Sequence, residues 1–80
     1  MEKRLSDLKP GERGVISRIA GDRELRRRLL DMGLTRGTEI IVVRRAPLGD
    51  PVEFLLKGYN LSLRKRECDG VYVLVEEGRR

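Results

Sequence analysis

Glycine and proline cut this chain into pieces too short for anything but a small β-rich fold with a single helix. Pro10-Gly11, Gly21, Gly33, Gly37, the run from Pro47 to Pro51, Gly58 and Gly70 punctuate it, and such residues end regular elements by supplying turn conformations that others resist. Pro10-Gly11 feeds a strand that begins near Arg13 or Gly14 and covers Val15 to Ala20. Gly21 breaks that strand, and the carboxylate of Asp22 is placed to accept from the unpaired amides of a following helical turn. Between Arg23 and Met32, Leu25, Leu29 and Met32 recur at i, i+4 and i+7, one face of a helix. Gly33 suits the left-handed position just past its end, and Leu34 is expected to fold back over it.

The remaining runs read as strands. Thr38 to Ala46 is rich in β-branched residues, and Val52, Phe54 and Leu56 alternate on one face, so the two runs predict an antiparallel pair joined by the Pro47–Pro51 loop. Gly58-Tyr59-Asn60 is read as a second turn, followed by alternating Leu61 and Leu63. Arg64 to Cys68 fits one helical or 3₁₀ turn, Val71, Val73 and Val75 a closing strand, and Glu76 to Arg80 a charged tail. About five short strands and one helix form one domain over residues 1–80, with its core over about 5–75. A mainly β small barrel follows, because closure buries one face of every strand and leaves few free edges. The expected core holds Leu25, Leu29, Met32, Val42, Phe54, Leu56, Leu63 and Val73.

Composition argues against catalysis. There is no histidine to act as a general base, and Ser6, Ser17 and Ser62 sit among basic residues. The single cysteine, Cys68, lies between Glu67 and Asp69, whose charge disfavours a thiolate, so a small buried residue is its expected role. A ferrous site built from imidazole and carboxylate cannot be assembled without histidine, and no cofactor or metal is expected. No apolar run approaches the roughly 20 residues of a membrane span, nor does the start read as a secretory signal, so a cytoplasmic protein is expected.

Eighteen basic and thirteen acidic residues give a net charge of +5, which draws nucleic acid and acidic proteins alike. Arg23, Arg26, Arg27 and Arg28 cluster on the helix, with Arg44-Arg45 and Arg64-Lys65-Arg66 as further basic groups. Nucleic-acid binding by a basic small barrel is therefore the alternative. It is disfavoured because Phe54, Tyr59 and Tyr72 are the only aromatic side chains for stacking. With Leu29 facing the core, Leu30 points about 100° away from it, toward Arg23 and Arg26. Leu30 and the loop residue Leu48 become candidate apolar anchors of a protein interface within a rim including Arg23, Arg26 and Arg27.

Four stretches, taken in order, resemble the FeoA family over nearly the whole chain: Leu5-Ser6-Asp7-Leu8-Lys9-Pro10-Gly11-Glu12, Arg28 to Gly37, Ala46 to Pro51, and Leu63-Arg64-Lys65-Arg66-Glu67. The resemblance implies an SH3-like barrel with an inserted helix, and a protein that works beside FeoB, the membrane transporter for ferrous iron, by contact with its cytoplasmic side. At the family level it implies a place in iron homeostasis and transition metal ion binding. The location implied is peripheral to the inner face of the cell membrane through that partner, without insertion, and self-association stays open. The family also looks like the C-terminal domain of metal-dependent repressors of the diphtheria-toxin-repressor type. These 80 residues hold no DNA-reading helix-turn-helix, so a repressor-associated module is the lesser reading.

Overall fold

The computed structural model describes residues 1–76. The chain forms β1 (Glu2–Arg4), a 3₁₀ turn (Leu5–Asp7), β2 (Arg13–Ile19), α1 (Arg23–Asp31), β3 (Glu39–Arg45), β4 (Val52–Leu56), β5 (Tyr59–Leu63), α2 (Lys65–Cys68) and β6 (Val71–Leu74). All six strands join one antiparallel sheet in the order β1-β6-β2-β3-β4-β5. Register shifts between Ile16 and Arg18 and between Val42 and Arg44 mark bulges in β2 and β3, where a ladder gains bend and twist. The sheet thereby coils round one core of Leu5, Leu8, Ile16, Leu29, Leu34, Ile40, Val42, Val52, Phe54, Leu56, Leu63, Cys68, Val71 and Val73. No ladder joins β1 to β5 among the described residues, so the barrel closes through its side chains.

Several expectations change. A sixth strand, β1, precedes the expected five and pairs with β6, Glu2 opposite Leu74 and Arg4 opposite Tyr72. Glu-Lys-Arg offers no apolar alternation to betray a strand; backbone pairing and charge, the usual furnishing of an edge strand, hold it in place. The second turn lies at Lys57-Gly58, with φ of 52° and 82°, while Tyr59 already pairs with Leu56. Two successive positive φ values are what the two-residue hairpin loop demands, since their twist matches that of the flanking strands. Leu25 and Met32 are only half-buried against the core, whereas Leu29 is completely enclosed. The other expected core residues, Val42, Phe54, Leu56, Leu63 and Val73, are buried. Beyond Glu76, the expected charged tail lies outside the described residues.

Candidate interaction surface

Helix α1 is pinned at both ends, and that fixes which leucine faces out. The Asp22 carboxylate accepts from the Leu25 amide at 2.8 Å, capping the first turn. At the far end Gly33 has φ of 103°, the Leu34 amide donates to the Leu29 carbonyl at 3.0 Å, and the Tyr59 hydroxyl donates to the Met32 carbonyl. A Cβ on Gly33 would run into that hydroxyl, so both conformation and space reserve the position for glycine. With Leu29 held inside, Leu30 stands 46% exposed.

Leu30 separates two shallow clefts. One is lined by Arg23, Arg26, Arg27 and Leu30; the other, of about 240 Å³, is lined by the segment 16–19 with Arg26, Leu30 and Arg36. The guanidinium groups of Arg23, Arg26, Arg27 and Arg36 have no hydrogen-bond or ion-pair partner among the described residues. Other arginines are engaged within the fold. Arg28 meets Glu67 at 2.5 Å, Arg44 meets Glu53 at 2.7 Å and holds its carboxyl below the usual range, and Arg45 donates to the carbonyls of Ser6 and Leu8 at 2.9 and 2.7 Å. Arg64, Lys65 and Arg66 are exposed on and beside α2, whose Cys68 is buried.

Leu48 is 97% exposed, but it follows the Arg45 end of β3, whereas Leu30 sits beside the 16–19 segment and Arg36, near the Glu39 end. A strand of that length spans about 20 Å. The two leucines are therefore separate features rather than one patch, a consequence of topology that their sequence positions do not disclose.

The aromatic side chains offer little to a nucleic-acid base. Phe54 is fully buried, Tyr72 lies under the Arg18 guanidinium at 3.9 Å from the ring centroid, and Tyr59 is tied to the helix end. Among the described residues no group of three or more His, Cys, Asp or Glu side chains is placed to hold a metal ion. The buried carboxylate of Glu67 accepts from the Arg64 amide at 2.8 Å as well as from Arg28, linking α2 to α1. Burial, then the charges of Glu67 and Asp69, push the Cys68 thiol up to about 12, so it is protonated and shielded at neutral pH. Among the described residues no helix is long and apolar enough to cross a membrane.

The profile of the FeoA domain matches residues 3–75. This chain belongs to the FeoA family. It is 41% identical to the FeoA protein of Chlorobium tepidum, whose solution structure superposes with a TM-score of 0.87 over 98% of this chain and 74% of that one. A zinc-complexed FeoA of Stenotrophomonas maltophilia, described as a prokaryotic SH3 domain protein, is 25% identical and superposes at 0.73 over 95% and 89% of the two chains. The six-stranded barrel with its inserted helix is thus an SH3-like fold. Over 70 residues, 88% of its length, the chain is 43% identical to a fusion of Fe(2+) transport protein A with the Fe(2+) transporter FeoB in Porphyromonas gingivalis strain W83. It spans only 8% of that fusion protein. Membership places the chain in a family of ferrous iron transport accessories.

Proposed function

We propose that this FeoA-family protein is a non-enzymatic accessory of ferrous iron transport that docks on the cytoplasmic side of a FeoB-like transporter and regulates or assembles it. The observation that carries this reading is Leu30, half-exposed on α1 among arginines that the fold leaves without partners. An apolar side chain ringed by charge matches the core-and-rim build of protein interfaces. The fusion of a similar segment to FeoB in one chain supports the choice of partner, because fusion raises the effective concentration of modules that already associate. In this reading Leu48, at the other end of β3, is a second and separable contact.

Co-purification tests it: tagged protein is incubated with its detergent-solubilised FeoB-like transporter beside Leu30→Asp and Leu48→Asp variants and a nucleic-acid control. Wild type should retain the transporter and Leu30→Asp should weaken retention about tenfold or more, with its melting curve unchanged because the side chain is already half in water. No retention by wild type, or retention indifferent to Leu30→Asp and Leu48→Asp alike, contradicts the proposal.

A further inference from the structure

The flank of α1 that carries Leu30 also indicates what kind of segment it meets, an inference that rests on reading that flank as a protein contact. With about 100° between successive residues, Arg23, Arg26, Arg27 and Leu30 share one arc of the helix, while its acids Glu24 and Asp31 fall on the side of Arg28. Arg36 joins the cleft beside Leu30 from the loop that precedes β3. That loop is tied down: the Gly37 amide donates to the Ile16 carbonyl at 2.8 Å, the Ile16 amide donates to the Thr38 carbonyl at 2.9 Å, and the hydroxyls of Thr35 and Thr38 are 2.8 Å apart. A capped helix and a pinned loop thus hold Arg26 and Arg36 round one cleft, with Ile16, Ile19 and Leu30 as its apolar lining. Such rigid supports lower the ordering cost of binding.

Among the described residues no acid pairs with either guanidinium. Converging like charges repel, so the cleft gains most from a counter-charge brought from outside. Other exposed apolar side chains have neighbours whose charges are already engaged. On the outer face of the sheet, Val15, Ile41 and Leu74 lie beside Arg13 and Glu39, which close on each other at 3.4 Å. Before Leu48, Arg44 is held by Glu53 and Arg45 by backbone carbonyls.

Two demands define the occupant. A guanidinium presents a planar fork of donors that matches a carboxylate, and Leu30 calls for an aliphatic side chain close to those carboxylates. A bare phosphate leaves Leu30 in water. Nucleic acid brings no aliphatic side chain, and its bases find no free aromatic face. We infer that the cleft binds an acidic segment of the partner protein in which an aliphatic residue is flanked by Asp or Glu, the aliphatic side chain against Leu30 and the carboxylates on Arg26 and Arg36.

Fluorescence anisotropy with the full chain provides the test, using a labelled synthetic peptide with one leucine between two runs of glutamate. Wild type should bind it at least about fivefold more tightly than the same peptide with serine in place of the leucine. Combining Arg26→Gln with Arg36→Gln should weaken binding about tenfold or more. Combining Lys9→Gln with Arg66→Gln removes the same charge from exposed residues outside the cleft and should change binding by about twofold at most. Melting curves matching wild type show that both double variants are folded. Equal affinity for the two peptides, equal weakening by the two double variants, or tighter binding to phosphatidylserine vesicles or to oligothymidylate overturns the proposal. The transporter is absent from this assay, so the two readings fail separately. A transporter retained in co-purification while the leucine peptide goes unbound overturns the acidic segment alone; peptide binding without retention supports the cleft and counts against the FeoB-like partner.

Discussion

Cys68 and Gly33 show how single residues are fixed by surroundings rather than by their own chemistry. The Cys68 thiol titrates at about 12 instead of 9.0, chiefly because it is buried. A raised folded pKa means that the native state holds its proton more firmly than the unfolded chain. That contribution to stability is complete below pH 9 and is lost as pH climbs from 9 toward 12. Urea midpoints across this window should fall more steeply for wild type than for Cys68→Ala, and a thiol reagent at pH 8 should label Cys68 only after unfolding; rapid labelling of native protein contradicts its burial. Gly33→Ala meets both a φ of 103° and the Tyr59 hydroxyl. It should cost on the order of 1–3 kcal/mol in urea unfolding, whereas Tyr59→Phe, which only removes a hydrogen bond to the Met32 carbonyl, should cost about 1 kcal/mol.

Among the elements, those whose own residues carry the pattern were legible in sequence, and those set by distant partners were not. Asp22 capping α1, Leu29 facing inward, Leu34 folding back and the buried face of β4 all follow from local spacing. β1 escaped because Glu2-Lys3-Arg4 pairs through its backbone with a strand from the other end of the chain. Leu5 and Leu8 are absent from the core expected from sequence, yet both are buried, Leu5 in the 3₁₀ turn and Leu8 just past its end. Of the candidate interface, the exposure of Leu30 was legible from the helical angle, but the engagement of Arg28 was not, since Glu67 comes from α2. Glu67 caps α2 and anchors α1 with a side chain only 10% exposed. Glu67→Ala should therefore cost about 1–3 kcal/mol, read in a urea titration; a variant as stable as wild type would mean that the two helices are not coupled through it.

For the whole molecule, the barrel separates stability from recognition. Leu29→Ala opens a cavity in the single core and should lose roughly 2–5 kcal/mol, while Leu30, one residue on, contributes its side chain to the surface. The central claim is that the flank of α1 is where a FeoB-like transporter is met. Amide chemical-shift mapping of the isotope-labelled protein, titrated with the cytoplasmic region of that transporter, tests this most directly. The account predicts shifts and broadening concentrated on Arg23, Arg26, Arg27, Leu30 and Arg36. Perturbation centred instead on Val15, Ile41 and Leu74, with α1 unmoved, would contradict it.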